Sequence, residues 1–390
     1  MMAKVWRKRL YRTEAIRSVL TDVLDRREPV GDNRTHLEEA AQWLLRAQGA
    51  TAEDGMSGGY SFEDGWIPAY PETTGYVIPT LLAYSAYADK PLYRERALAM
   101  ATWELSVQLE SGGFPGHFVD QSHPPVVFNT GQVIFGLLAA HEATRDSAYL
   151  DAARRAGLWL SSIQDSDGAW RRSDYLGLVH SYNTRTAWAL VELGLATSDH
   201  RLLDAARRNL DWACAQQQGN GWFEHSGFRP EAPAFLHTIA YTSQGLLEAG
   251  LRLDEPRYRA AAERSCRIVM GHVRADGWIP GAFDREWRPV GRYSCLTGNA
   301  QMAAQWLRLY ASGEEQSFLE AALRANRFLK SLQDCRTGNS NVRGAIKGSH
   351  PIWGGYLFGT YPNWAVKFFM DALLLEEAVV EGKVPWIRCW

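Results

Sequence analysis

The sequence predicts an all-α fold, an (α/α)6 toroid of six outer/inner helix pairs, on three observations. The first is a repeat in which an aromatic or bulky apolar residue is followed, after four residues, by Gln and a Gly-rich turn. It reads Trp43 to Gln48, Trp103 to Gln108, Trp159 to Gln164, Trp212 to Gln217 and Phe328 to Gln333, with a degenerate copy from Ile268 to Val273. The steps of 60, 56, 53, 56 and 60 residues suit a pair of helices plus loops. The second is an interleaved set of polar clusters that open Ala/Leu-rich runs apolar on nearly every face, such as Val133 to His141 and Ala187 to Leu195, the pattern of fully buried helices. The third is that the segments carrying the aromatic-to-Gln repeat are amphipathic, with Ala and Leu on one face and Arg or Glu on the other.

In chain order, residues 1–30 form a basic lead-in helix, 31–382 the toroid and 383–390 a short tail. The outer helices contain Tyr93 to Gln108, Tyr149 to Gln164, Leu203 to Gln217, Tyr258 to Val273 and Phe318 to Gln333. Inner helices begin at the polar clusters, with Thr73, Asn129, Asn183, Thr238, Thr297 and Asn363 all near their starts and all at one end of the ring. Thr and Asn there are read as N-caps, accepting from the free N–H groups of the first turn. The mouth of the central cavity is then built by the outer-to-inner turns and the first residues of each inner helix.

A formal net charge of −2 and the absence of a Lys/Arg stripe exclude a nucleic-acid groove. The basic start, with Lys4, Arg7, Lys8, Arg9, Arg12 and Arg17, is either a solvated lead-in helix or a weak contact with an anionic surface or partner. It has no apolar core of a secretion signal, and no segment reaches the ~20 apolar residues of a membrane span. A cytoplasmic protein is expected. Five scattered cysteines, Cys214, Cys266, Cys295, Cys335 and Cys389, read as free thiols. Cys295 sits at an inner-helix entrance, either as an inert thiol or within reach of the cavity. No His/Cys/Asp set has metal-ligand spacing on one helix, so activity is expected without a metal or other cofactor.

The turns Trp159-x4-Gln164-Asp-Ser-Asp-Gly-Ala-Trp170 and Trp212-x4-Gln217-Gln-Gly-Asn-Gly-Trp222 resemble the Gln-Trp motifs of squalene-cyclase and protein-prenyltransferase toroids. That resemblance implies the toroid architecture over nearly the whole chain. The chain lacks those families' chemical elements: it has no Asp-x-Asp-Asp acid, no Asp-x-Cys pair with a downstream His, and no Cys-His-Gly element of the lanthipeptide cyclases. The helix entrances Tyr70-Pro-Glu-Thr-Thr-Gly-Tyr76 and Phe128-Asn-Thr-Gly-Gln132 are similar to those of toroids encoded with bacterial polysaccharide genes, of unsaturated-glucuronyl hydrolases, of sugar epimerases and of polysaccharide lyases. This second resemblance implies a sugar in the cavity.

The richest polar cluster is His180, Tyr182, Asn183 and Arg185, which fall within about one and a half helical turns and can share space with His237 and Tyr241 of the next repeat. Abstraction of a proton beside a uronate carboxylate needs a cation or amide on that carboxylate, a role for Arg185 and Asn183. It also needs a group to move the proton, a role for Tyr182, His180 or His237. The same residues also read as caps and inter-repeat hydrogen bonds. A glycosidase instead needs two carboxyl groups across one bond; Glu72, Asp120, Asp174, Glu224 and Asp284 lie near the mouth loops, and Glu72 either caps the Thr74 and Gly75 amides or faces the cavity. Further sugar-binding candidates at the inner-helix starts are Tyr70, Tyr76, Asn129, Gln132, Trp188, Asn299, Tyr361, Asn363 and Trp364. A terpene cyclase would use rings such as Trp66, Tyr76, Tyr182, Trp188 and Trp364 to stabilise a carbocation. The expected function is an enzyme acting on a small or oligomeric carbohydrate bearing a uronate, by proton abstraction or hydrolysis, with a terpene-cyclase-like enzyme or a non-catalytic glycan-binding protein as alternatives.

Overall fold

A computed structural model describes residues 13–119, 123–313 and 315–382. Thirteen α-helices occur among the described residues. A lead-in helix, α1 (Thr13–Val23), precedes six outer/inner pairs: α2 (Asn33–Gly49) with α3 (Pro71–Ala88), α4 (Pro91–Val107) with α5 (Val127–Thr144), and α6 (Ser147–Ser162) with α7 (Thr184–Thr197). The pairs α8 (His200–Ala215) with α9 (Leu236–Arg252), α10 (Pro256–Met270) with α11 (Leu296–Gly313), and α12 (Gln316–Lys330) with α13 (Asn363–Val380) complete the set. Each inner helix packs on its inner neighbours and on the outer helix that follows it, and α13 closes both rings against α3 and α2. This is the (α/α)6 toroid that the repeat predicts. No helix among the described residues is long and apolar enough to cross a membrane.

Short strands brace the mouth loops. β1 (Gly59–Ser61) pairs with β2 (Gly65–Trp66) and, antiparallel, with β7 (Thr360–Pro362), so Tyr60 lies opposite Tyr361 and the first mouth loop is joined to the last. Two further pairs, β3 (Ala234–Phe235) with β4 (Ala282–Phe283) and β5 (Ser294–Cys295) with β6 (Ser349–His350), tie adjacent loops together.

The repeated Gln is the clasp between repeats. Gln108 donates to Gly112 O in its own turn and to Ala152 O in the next outer helix, at 2.8 and 2.9 Å. Gln48, Gln164 and Gln217 do the same with their own turns and next helices. Gln333 closes the ring by donating to Gly344 O and, across the seam, to His36 O. Val273 cannot make this bridge. Its turn keeps the close glycine contact that other turns also have: a Cβ on Gly277, at φ +88°, would come within 2.1 Å of Arg324 O, as ones on Gly168 and Gly344 would come within 2.3 and 2.2 Å of Arg208 O and Glu39 O. Because Gln333 is buried, Gln333→Ala strands two carbonyl groups and is expected to destabilise the fold by about 2–4 kcal/mol, measurable by denaturant unfolding.

The N-cap reading of the inner-helix starts fails, and side-chain caps are found on three of the six outer helices. Asp32, Asp146 and Asp199 cap α2, α6 and α8 through their carboxylates. The starts of α3, α5, α7, α9 and α13 carry no side-chain cap. Their polar side chains hold the mouth loops instead: Asn363 Nδ2 donates to Ser57 O and Thr73 Oγ1, both at 2.7 Å, while Thr74 and Thr130 accept from Met56 N and Phe114 N. Inner helices also approach very closely. A Cβ on Gly75 would meet Val133 Cα at 2.5 Å, and one on Gly136 would meet Gly75 O at 2.3 Å, so both positions require glycine.

The lead-in helix lies on the mouth end. Ser18 shares a 2.9 Å hydrogen bond with Tyr361, and Asp22 accepts from Lys347 Nζ, from His350 Nδ1 and from Ile352 N. Burial alone would raise the Asp22 carboxyl, but Lys347 and His350 overcome it and hold the pKa at about 2. Residues 1–12 and the expected tail at 383–390 lie outside the described residues.

Candidate active site

The first residues of α3, α5, α9 and α13, with the mouth loops above them, enclose a central cavity of about 280 Å³. Seven of the residues expected from sequence meet there: Tyr70, Glu72, Asn129, Tyr182, His237, Tyr241 and Trp364. The others among its walls, chiefly His117, Phe128, Tyr175, Phe228, Thr238, Tyr356 and Leu357, come mostly from mouth loops. Tyr356 and Phe228 carry no repeat signal that would have found them. Tyr356 is fixed as acceptor of the Trp364 indole N–H at 2.8 Å.

Glu72 faces this cavity and does not cap its helix; Thr74 N is taken by Tyr70 O. Its carboxylate accepts a 2.5 Å hydrogen bond from the Tyr70 hydroxyl. Burial pushes its pKa up to about 7, against the smaller opposing effects of that bond and of Arg185. Glu72 is therefore a carboxyl group poised to take or give a proton near neutrality.

His237 lines the same cavity from α9. Its Nδ1 lies 2.8 Å from Gln301 Oε1 on α11; with that oxygen as acceptor, Nδ1 carries the proton and Nε2 keeps its lone pair. Burial lowers the pKa to about 3, so the ring stays neutral. It packs against Tyr241 and Tyr356, with ring centroids at 4.3 and 5.3 Å. Burial raises the hydroxyls of Tyr70, Tyr182 and Tyr356 well above the usual tyrosine range, so they serve as hydrogen-bond donors and not as bases.

Arg185 does not line the cavity. It is fully buried among the rings of Tyr76, Phe135, Trp188, Tyr241 and Phe368, with its Cζ 5.3–5.9 Å from their centroids. Nε donates to Gln132 Oε1 and Nη1 to Gln244 Oε1, each at 2.6 Å, while Nη2 has no hydrogen-bond partner among the described residues. Tyr76, Gln132 and Trp188 belong to this layer under the cavity. Trp188 donates to Glu192 and Trp66 packs on Trp43 and Tyr60, so neither ring faces a ligand in the cavity.

His180 and Asn183 are buried and turn away from the central cavity. His180 stacks on Tyr182, with centroids 4.5 Å apart, and lines a second, roughly 600 Å³ cleft with Trp222, Glu224, Arg229 and Asp284. Buried Asp174 accepts from Asn183 Nδ2 at 2.6 Å and lies 3.2 Å from His180 Nδ1, which leaves His180 Nε2 unpartnered. The acids expected for a hydrolase are thus dispersed. Glu72 is central, Asp174 sits behind His180, Glu224 pairs with Arg285 in the second cleft beside Asp284, and Asp120 lies outside the described residues.

Asn299, Tyr361 and Asn363 brace the framework. Asn299 reaches Gly277 O and Ser294 Oγ, Tyr361 holds the lead-in helix, and Asn363 holds the first mouth loop. Cys295 is buried on β5, and burial pushes its thiol up to about 12, so it is an inert core group. Cys214, Cys266, Cys295 and Cys335 are free thiols; Cys389 lies outside the described residues. Among the described residues no group of three His, Cys, Asp or Glu stands close enough together to hold a metal ion.

Fold and cavity define a class, the (α/α)6 toroids with a cavity at the N-terminal ends of their inner helices. A family model, the squalene-hopene cyclase C-terminal domain, matches residues 125–244, from the start of α5 to the middle of α9. No curated protein matches the sequence. An unsaturated glucuronyl hydrolase specific for heparin superposes with a TM-score of 0.72 at 16% identity, covering 90% of this chain and 98% of that one. A cellobiose 2-epimerase from Bacillus thermoamylovorans B4167 gives 0.70 at 11% identity, covering 87% and 97%. A D-mannose isomerase gives 0.69 at 12%, covering 89% and 97%. At these identities the likeness establishes the toroid fold, and the chemistry rests on the residues of the cavity.

Proposed function

We propose that the chain is a cytoplasmic carbohydrate-active enzyme that isomerises or epimerises a small sugar by proton transfer, with Glu72 as the acid/base group. The observation that carries this is the pairing, in one small cavity, of a carboxyl group with a pKa near 7 and a neutral imidazole whose Nδ1 is pinned by Gln301. At about 280 Å³ the cavity falls just below the usual span of ligand pockets, roughly 300–1,000 Å³, and suits a small sugar. Ionised Glu72 removes the proton from the carbon beside the carbonyl of the open-chain sugar. The electron pair moves onto the carbonyl oxygen, where the Tyr182 or Tyr241 hydroxyl can donate to it. Glu72 then returns its proton: to the former carbonyl carbon, while His237 Nε2 passes the neighbouring hydroxyl proton to the enolate oxygen, it gives the isomer, and to the opposite face of the first carbon, once the enol has turned over, it gives the epimer.

Several features favour this over the other readings. No Lys or Arg stands among the described lining residues, which removes the expected ion pair with a uronate. Hydrolysis by two carboxyl groups needs a second acid, and Glu72 is the one carboxyl among those residues. A carbocation would meet the carboxyl of Glu72 and the imidazole lone pair of His237 in place of the apolar walls that preserve it.

Proton transfer by the ionised carboxylate makes turnover rise with pH through about 7 and level off above it, whereas an acid-catalysed glycosidase would lose activity over the same span. The direct test is incubation with aldoses and reducing disaccharides in D2O, read by NMR. Deuterium appearing at the carbon beside the carbonyl supports the proposal. Release of a new reducing end without exchange, or binding without either, would overturn it in favour of a hydrolase or a glycan-binding protein.

A further inference from the structure

Helix α1 is amphipathic in an unusual sense: both of its faces are committed, one to the protein and one to nothing in it. Ala15, Ser18, Val19 and Asp22 face inward, the last two polar groups holding Tyr361 and the Lys347/His350 pair. Ile16, Leu20, Val23 and Leu24 face away, with exposures of 42, 51, 61 and 55%. At 100° per residue these four share one side of the helix, so they form a continuous apolar stripe and not scattered surface residues. Three repeats round the mouth, Leu176 is also exposed, held at φ +58° in a conformation a branched residue adopts at a cost. The mouth end therefore offers apolar side chains on opposite sides of the cavity.

Charge chooses what covers them. Residues 1–30 hold eight Lys/Arg against four Asp/Glu, in a chain whose formal net charge is −2, and residues 1–12 hold five Lys/Arg and no acid. Arg26 is exposed at one end of the stripe, Arg17 at the other is exposed but paired with Asp334 at 2.9 Å, and Asp25 beside the stripe is paired with Arg27. A twofold dimer through the stripe would set two such basic segments side by side, which like-charge repulsion disfavours. An apolar stripe edged with cations matches the interface of an anionic bilayer, where the side chains enter the acyl boundary and the cations meet lipid phosphates.

We propose that α1 is a membrane-surface anchor that docks the mouth end of the toroid on anionic phospholipid. The inference rests on α1 and does not depend on the sugar chemistry. It is tested by flotation of the full chain with vesicles of phosphatidylcholine alone or mixed with phosphatidylglycerol. Binding to the mixed vesicles is expected to be at least about tenfold tighter and to weaken as salt is raised. The double variant Leu20→Ser, Val23→Ser should lose most of that binding with an unchanged melting midpoint, because both side chains are already in solvent. Equal or absent binding to the two vesicle types, or binding unaffected by the double variant, would overturn the proposal. So would a wild-type dimer that the variant converts to monomer, which assigns the stripe to a second copy of the chain.

Discussion

Glu72→Gln is expected to lower turnover by roughly 10²- to 10⁴-fold, the span that a positioned acid/base group supplies. The amide keeps the size of the side chain and can still accept from the Tyr70 hydroxyl, so substrate binding should change far less than turnover. Stability gives an independent reading. A carboxyl whose pKa is raised on folding, here to about 7, carries no penalty below its unfolded value near 4.5 and its full penalty above 7. The wild type should therefore lose stability as pH rises across that window, and Glu72→Gln should lose less, the remainder coming from Glu104, Asp174 and Glu248, whose carboxyls burial also raises. Comparing the two by denaturant unfolding at pH 5 and pH 8 checks the environment of Glu72 without any substrate. A variant with wild-type turnover would remove Glu72 from the reaction, whatever the sugar.

Arg185→Met is expected to cost about 2–4 kcal/mol of stability and to lower the melting midpoint by several degrees. The guanidinium satisfies Gln132 and Gln244 through its Nε and Nη1, and losing it leaves two buried amide oxygens unpaired, each a penalty of about 1–3 kcal/mol. Relief of the buried charge offsets part of this, because burial already disfavours the charged form of Arg185. Any fall in turnover should accompany a softened floor beneath Tyr241. A stable Arg185→Met protein that binds neutral sugars normally but loses affinity for uronates would instead place the guanidinium on substrate. Thermal melting alongside binding separates the two results.

Much of the fold could be read from the chain because its determinants are local and repeated. Trp43 to Gln48 and its copies mark the outer-helix ends, since a side chain with two amide hydrogens can bridge a turn and the neighbouring helix at once. The runs behind Thr73, Asn129, Asn183, Thr238, Thr297 and Asn363 are apolar all round because inner helices are covered on every side, and all six positions do open inner helices. The capping role assigned to those residues was a local inference about a tertiary matter. Loops folding back over the mouth claim the same hydroxyl and amide groups for their own backbone, as Asn363 does for Ser57. The close contact of Gly75 with Val133 was likewise hidden, because a glycine in an apolar run does not announce which helix approaches it.

The sequence by itself determined the ring and the shared position of the inner-helix starts, and it offered Glu72, His237, Tyr241 and Trp364 as candidates that line the cavity. Only the tertiary structure decided where the third cluster points. His180, Tyr182, Asn183 and Arg185 lie close along the chain, yet His180 opens on the second cleft, Tyr182 on the central cavity, and Arg185 lies sealed beneath it. A helix turns its side chains by 100° per residue, and a tight 3-10 turn at Ser181–Asn183 shifts that phase just before α7 begins. Spacing in sequence fixes the angles among the four side chains. The rotation of α7 about its own axis, set by its packing on α5 and α9, decides which of those angles looks into the chamber.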